Sequence, residues 1–321
     1  MAKINPDFAK ELKKYGAFDF NACYNCGNCT AVCSLSTEED SFPREMVRYS
    51  VLGLDGEIQS SLKPWLCYYC GECSQTCPKT ANPGELMMSL RRWLTAKYDW
   101  TGLSGLLYKS LPISILAFIV VAILVVAFGA WQGFNLGTIM HYGHHFELLA
   151  ISAVFLLILL PNLIHMWYLI IKKPGIKIKG KTYWQGASEL FVHMFTQKRA
   201  LLCDDNQFRW FEHFILVIGY LALLFTTVVL DWFGTTSLFV VWLGYIESII
   251  IFVVTTDFVI NRIKKKKEIS IHSQPSDWFF VIWLMFMGLS AFVVRLFIDT
   301  DLLANAQWIY LVHLIILAQW A

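Results

Sequence analysis

Polar and apolar positions are mixed over residues 1–110, and after Pro112 the pattern changes sharply. Ile113–Phe128 is almost wholly apolar. Long apolar stretches then recur over about Leu148–Ile171, Phe211–Leu230, Leu238–Ile260, Trp278–Ile298 and Trp308–Ala321. Each of the first five approaches or reaches the ~20 residues that cross ~30 Å of hydrocarbon. A single such stretch can be a buried soluble helix; five in succession read as membrane spans. The pattern therefore predicts a soluble domain over 1–110 and a transmembrane helix bundle of about six spans over 111–321. The last span would rise only ~21 Å as a helix, so the native chain is expected to continue past Ala321.

Within the soluble part the signals are helical. Pro43 can start a helix whose apolar side holds Met46, Val47 and Leu54. Asn82-Pro83 reads as an N-cap and first-turn proline for a helix over Glu85–Ala96. The expected class is all-α: a helical soluble domain followed by a transmembrane helix bundle.

Charge adds an orientation. The chain is 56% hydrophobic and 16% charged with a net charge of only +2, so nothing points to nucleic acid. The basic residues are unevenly placed. Lys172, Lys173, Lys177, Lys179, Lys181, Lys198, Arg199 and Arg209 follow the second span, and Arg262 and Lys264 to Lys267 follow the fourth. The alternate loops, 130–146, 231–237 and 299–307, hold no Lys or Arg. By the positive-inside rule the basic loops are cytoplasmic, and residues 1–110 lie on the same side. The expected location is the cytoplasmic (inner) membrane. Residues 1–20 are mixed and charged with no apolar core, so no secretory signal is expected.

Eight of the nine cysteines sit in two runs before residue 78, and only Cys203 lies outside them. The first run is Cys23-x-x-Cys26-x-x-Cys29-x-x-x-Cys33; the second is Cys67-x-x-Cys70-x-x-Cys73-x-x-x-Cys77-Pro78. Three cysteines at two-residue gaps lie on one tight loop that wraps a cubane. The fourth points away, and in two-cluster ferredoxins it ligates the other cluster. Two [4Fe–4S] clusters are therefore expected, one on Cys23, Cys26, Cys29 and Cys77, the other on Cys67, Cys70, Cys73 and Cys33. Structural zinc is the alternative, and its sites usually show paired C-x-x-C units rather than a doubled four-cysteine run. Gly27 and Gly71 hold the same place in each run, where a missing side chain lets the backbone approach the sulfides. Ser34 stands where a proline is usual.

A haem b in a helix bundle needs two imidazoles facing each other at similar depth. His213 lies near the cytoplasmic start of the third span and His165 near the cytoplasmic end of the second. His313 lies near the outer start of the last span, and His141, His144 and His145 near the outer start of the second. His213, His313, His145 and His165 are the ligand candidates; His141, His144 and His193 read as interfacial and His272 as solvated. Ionisable residues inside a membrane are functional candidates by default. Arg295 is placed to hold a haem propionate and Glu247 to take a proton from quinol; Asp257 is a third such group.

These motifs carry a resemblance. The doubled cysteine run in a helical domain resembles the C subunits of heterodisulfide reductases. Arg209-Trp210-Phe211-Glu212-His213, opening a span that Thr226-Thr227 closes, is similar to the E subunits of heterodisulfide reductases and to the gamma subunits of respiratory nitrate reductases. Their fusion in this order resembles the C subunits of quinone-interacting membrane-bound oxidoreductases. The resemblance implies a b-type cytochrome with one or two haems that exchanges electrons with menaquinone. It further implies cytoplasmic flavin and iron–sulfur partners related to the A subunits of heterodisulfide reductases. It leaves the mate of His213 open between His165 and a histidine past Ala321. A membrane component of a heterodisulfide- or ferredoxin-linked reductase, or a redox-sensing membrane-anchored ferredoxin, are the alternatives. No dinucleotide fingerprint or phosphate loop is present.

Overall fold

The structure is a computed structural model that describes residues 3–198, 201, 207–226, 237–265, 268–300 and 306–320. The described residues are helical or irregular, with no strand among them. Helices of six residues or more are numbered α1 to α11. They are α1 Phe8–Lys13, α2 Arg44–Leu52, α3 Pro83–Tyr98, α4 Leu103–Lys109, α5 Leu111–Trp131, α6 Leu136–Lys172, α7 Gly180–Thr196, α8 Gln207–Leu224, α9 Leu238–Lys264, α10 Pro275–Asp299 and α11 Ala306–Trp320. The chain forms two compact units. The first gathers residues 1–111 with 158–205 and 264–274; the second holds 112–157, 206–263 and 275–321.

The first unit is built on α3. Leu86, Met87, Leu90, Trp93 and Leu94 recur at helical spacing and are almost wholly buried. They close over Phe8 and Leu12 of α1, Phe20, Met46 and Val47 of α2, and Ile58. Burying each such side chain stabilises by about 1.5–3 kcal/mol, so this cluster dominates the unit's cohesion. The α2 prediction holds in part: Pro43 precedes the helix, and Met46 and Val47 are buried, but the helix ends at Leu52 before Gly53, so Leu54 is not on its apolar side. Helix α3 also follows Asn82-Pro83, but the Asn82 side chain makes no cap hydrogen bond. Its Nδ2 donates instead to Asp19 Oδ2 at 2.8 Å, a partner 63 residues away that local pattern does not reveal.

In the second unit α10 and α11 pack along each other. Trp283 Nε1 donates to the Ile316 carbonyl at 2.9 Å, and Gln319 Nε2 to the Phe118 carbonyl at 3.0 Å. Phe118, Phe279 and Trp283 stack with centroids 4.3 to 5.7 Å apart. Ile139, Val294, Tyr310 and Leu314 form a second buried cluster.

Among the described residues four helices, α5, α6, α9 and α10, are long and apolar enough to cross a membrane. Ile115, Leu116, Ile119, Ile123 and Leu124 of α5 are exposed, an apolar surface suited to lipid. The other two expected spans are not among these four. Helix α8 ends at Leu224, and the expected continuation from 227 to 230 lies outside the described residues. Helix α11 has 15 residues, a rise of about 22 Å. The second span starts earlier than its apolar run suggests, because Asn135 Oδ1 accepts from Thr138 N at 3.1 Å and caps the helix there. His141, His144 and His145 therefore sit inside α6 rather than in a loop before it. Cys203, Arg199, Thr227, Lys266, Lys267, Ala321 and most of the loops 231–237 and 299–307 lie outside the described residues.

Candidate iron–sulfur site and membrane histidines

The two cysteine runs fold alike. Asn25 and Gly27 in the first, and Tyr69 and Gly71 in the second, take positive φ (65°, 95°, 55° and 92°). Glycine adopts that conformation without steric cost. The left-handed residue between the first two cysteines turns its N–H back onto sulfur. Asn25 N donates to Cys23 Sγ and Tyr69 N to Cys67 Sγ, each at 3.4 Å. Ala81 N donates to Cys77 Sγ at 3.3 Å.

The eight thiols of these runs fall into two neighbourhoods. Cys29 is influenced electrostatically by Cys23, Cys26 and Cys77. Cys67 is influenced by Cys70 and Cys33, and Cys33 by Cys70. Cys73 feels Cys67, Cys70 and Cys33 ahead of Cys29. The fourth cysteine of each run thus lies with the first three of the other. Cys33, Cys67, Cys70 and Cys73 line one recess, walled by Leu35, Phe42 and Tyr68. Burial, the leading cause in each case, pushes the Cys29, Cys33, Cys67 and Cys73 thiols above their ordinary range. Among the described residues no three His, Cys, Asp or Glu side chains converge to hold a single metal ion. A cubane spreads its four sulfur ligands farther apart, so thiols set around a recess suit it.

Behind the second run stands a polar scaffold that the sequence does not announce. Tyr69 donates its hydroxyl to Glu85 Oε2 at 2.9 Å. Glu85 Oε1 pairs with Arg92 at 3.0 Å, and Arg92 Nη1 also donates to the Tyr15 carbonyl at 2.9 Å. Arg91 donates Nε to the Pro64 carbonyl at 2.8 Å and Nη2 to the Trp65 carbonyl at 3.1 Å and to the Cys67 carbonyl. Ser74 Oγ accepts from Gly84 N at 3.1 Å. The only local hint is that Glu85 and Arg92 are seven residues apart on one helix face.

The histidines are dispersed. In the second unit, Ser290 gives its hydroxyl proton to the Met287 carbonyl at 3.1 Å, and its oxygen lies 2.9 Å from His313 Nδ1. His313 Nδ1 is then the donor, which leaves Nε2 with a lone pair, as a metal-ligating imidazole requires. In the first unit, His165 Nδ1 lies 3.0 Å from the Tyr98 carbonyl and likewise donates. His213 is on the exposed side of α8. His145 is exposed on α6, its ring 4.7 Å from that of His141.

Glu247 of α9 is 2% exposed. Its Oε2 lies 3.4 Å from Thr226 Oγ1, and its Oε1 has no hydrogen-bond partner among the described residues. The Arg295 guanidinium of α10 packs over Gly244, one turn away on α9, where a Cβ would overlap it. Asp257 is held by Asn261 Nδ2.

Cysteines in this arrangement define a dicluster iron–sulfur domain, a class of one-electron carrier. Residues 22–82 match the family of 4Fe-4S dicluster domains. Among curated proteins, the chain is 30% identical over 91 residues to a protein of Archaeoglobus profundus that is named for its likeness to the C subunits of heterodisulfide reductases, covering 28% of this chain and 48% of that one. It is 30% identical over 76 residues to the C subunit of the H(2):CoB-CoM heterodisulfide,ferredoxin reductase of Methanothermobacter thermautotrophicus, covering 24% and 41%. It is 32% identical over 84 residues to the iron-sulfur C subunit of the CoB--CoM heterodisulfide reductase of Methanopyrus kandleri, covering 24% and 44%. The chain spans less than half the length of each of these relatives. No solved structure matches it.

Proposed function

We propose that this chain is an electron-transfer subunit of a membrane quinone oxidoreductase, working between menaquinone in the bilayer and flavin and iron–sulfur proteins on the cytoplasmic side. The observation that carries the reading is the grouping of the eight thiols into two sets of four on a chain that also holds helices of membrane-crossing length. Cys23, Cys26, Cys29 and Cys77 would hold one [4Fe–4S] cluster, and Cys67, Cys70, Cys73 and Cys33 the other. The clusters, when bound, supply two neighbouring one-electron carriers. The backbone N–H groups of Asn25, Tyr69 and Ala81 donate to the ligating sulfurs and favour their anionic form.

The membrane chemistry rests on this chain's own imidazoles and on Glu247. Haem b, when bound, supplies a one-electron carrier inside the membrane. Ser290 and the Tyr98 carbonyl orient His313 and His165 with Nε2 open as a ligand atom; His213 and His145 remain further candidates. Arg295 offers a cation for a propionate. Glu247, buried with one carboxylate oxygen unpartnered among the described residues, is suited to receive a proton from quinol.

A second reading is favoured by the names of the relatives: a membrane component of a heterodisulfide- or ferredoxin-linked reductase using the same module. One set of measurements separates the readings. The purified full-length protein is assayed for iron and haem, then offered a menaquinol analogue or reduced ferredoxin while the clusters are followed by EPR. Cluster reduction by the quinol together with a b-type reduced-minus-oxidised spectrum supports the quinone reading. Reduction by ferredoxin alone supports the second. A protein carrying iron but no haem, and inert to both donors, points to a redox-sensing anchor and defeats both.

A further inference from the structure

Helix α7, Gly180–Thr196, belongs to the first unit and shows an apolar stripe that the electron-transfer reading leaves without a role. At about 100° per residue, Tyr183, Trp184, Leu190, Phe191, Met194 and Phe195 fall within one arc of about 140°. Lys181, Gln185, Glu189 and His193 lie outside that arc. The stripe is uncovered: Trp184 is 77% exposed, Leu190 67%, Phe191 59% and Phe195 54%. A soluble protein rarely leaves so much contiguous apolar surface in water.

Two features say what covers it. The first is charge. Residues 172–198 hold six lysines, at 172, 173, 177, 179, 181 and 198, and a single carboxylate, Glu189. That carboxylate is already met by His193 Nε2 at 3.3 Å and Lys198 Nζ at 3.5 Å. An apolar stripe edged by excess lysine is complementary to an anionic lipid surface. The second is continuity. Helix α6 is of membrane-crossing length and ends at Lys172, so only residues 173–179 separate it from α7, a reach of about 25 Å at full extension. Trp167 Nε1 donates to the Tyr183 hydroxyl at 3.1 Å, which fastens the start of α7 to the last turns of α6. Trp and Tyr are the residues that gather where a span meets the headgroups.

We propose that α7 is an interfacial helix: it lies in the plane of the membrane, sinks its Tyr183–Phe195 stripe into the acyl boundary, and meets anionic phospholipid headgroups with the flanking lysines. The partner is a lipid surface, and the proposal rests on reading α6 as a membrane span. An amphipathic helix of this kind also clamps the cytoplasmic end of α6 against the bilayer plane.

The test uses the full-length protein in nanodiscs of phosphatidylcholine alone, or of phosphatidylcholine mixed with phosphatidylglycerol, read by hydrogen–deuterium exchange over residues 160–171 and 180–196. In the anionic discs, α7 amides should exchange about ten-fold or more slowly than in the neutral ones, as expected for several lysines at a charged surface. The variant Leu190→Asp/Phe191→Asp should lose protection in both lipids, and Lys177→Gln/Lys179→Gln/Lys181→Gln should lose only the anionic increment. Fast exchange of 180–196 in both lipids, with 160–171 protected, overturns the interfacial helix while leaving the span intact. Fast exchange of both segments overturns the membrane reading of α6 itself. Protection that appears only when soluble partner proteins are added makes the stripe a protein interface and also overturns the proposal.

Discussion

Replacing Arg92 with methionine would leave the Glu85 carboxylate, 7% exposed, without the guanidinium that now lies 3.0 Å away. Breaking a buried pair by removing one partner costs about 3–5 kcal/mol, because the remaining charge stays desolvated. The carboxylate can escape part of this by taking up a proton. From an ordinary pKa of about 4.3, neutralising it at pH 7 costs about 3.7 kcal/mol, at about 1.36 per pH unit. That sets a ceiling for the charge part of the loss. A further ~1 kcal/mol, independent of pH, follows from the lost hydrogen bond to the Tyr15 carbonyl. The sign of the pH dependence is fixed by the variant: Glu85 there has a folded pKa raised above its unfolded value. The penalty is therefore absent below about pH 4 and grows as pH rises. Cluster loss is followed by visible absorbance across urea titrations of the detergent-solubilised full chain at pH 5 and pH 7, wild type in parallel. With a slope of about 2 kcal/mol per molar urea, the midpoint should fall by about 1 M at pH 5 and by about 2 M at pH 7. The double variant Glu85→Gln/Arg92→Met should recover most of the pH 7 loss. An equal shift at both pH values, or a double variant as weak as the single, would refute the lost guanidinium charge as the cause.

Cys77→Ser should damage the cluster of the first run and Cys33→Ser that of the second, each leaving about half the iron and one EPR signal of the reduced protein; a Cys77 variant with an intact first-run signal makes the crossing wrong. Arg91→Leu, which frees the Pro64, Trp65 and Cys67 carbonyls together, should destabilise the second-run cluster by about 2–3 kcal/mol and leave the first-run signal at wild-type linewidth. His213→Ala and His313→Ala should each remove one haem with both clusters assembled, as read by pyridine haemochrome and iron content; a full haem complement returns that histidine to an ordinary role. Cys203→Ser should change neither iron nor haem content, since Cys203 has no companion at ligand spacing.

Several of these features were legible along the chain because the signals involved are short-ranged. Ligand spacing within a cysteine run is a property of one loop, and the same left-handed residues recur at Asn25, Gly27, Tyr69 and Gly71. Helix class and the apolar helices follow equally from local periodicity and composition, as α2 and α3 and the four long apolar helices show. Helix ends were less legible. The start of α6 turns on one capping contact, Asn135 to Thr138, that an apolar average passes over.

What tertiary structure decided are contacts between residues far apart in sequence. The crossed place of each fourth cysteine was expected from the spacing of the runs, but it takes the core around Phe8, Phe20 and Trp93, on which Cys23, Cys33 and Cys67 rest, to set Cys33 beside Cys67, Cys70 and Cys73. Asn82 looked like a helix cap by position and serves instead as a tie to Asp19. Glu85 and Arg92 share a helix face, yet only packing shows that they are buried and joined to Tyr69 and the Tyr15 carbonyl. Ser290 orients His313, and Glu247 and Arg295 meet Thr226 and the bare backbone of Gly244. The physical reason is common to all. A hydrogen bond between distant residues is specified by the whole path that brings them within about 3 Å, whereas a ligand run, an apolar stripe or a basic loop is specified by its neighbours along the chain.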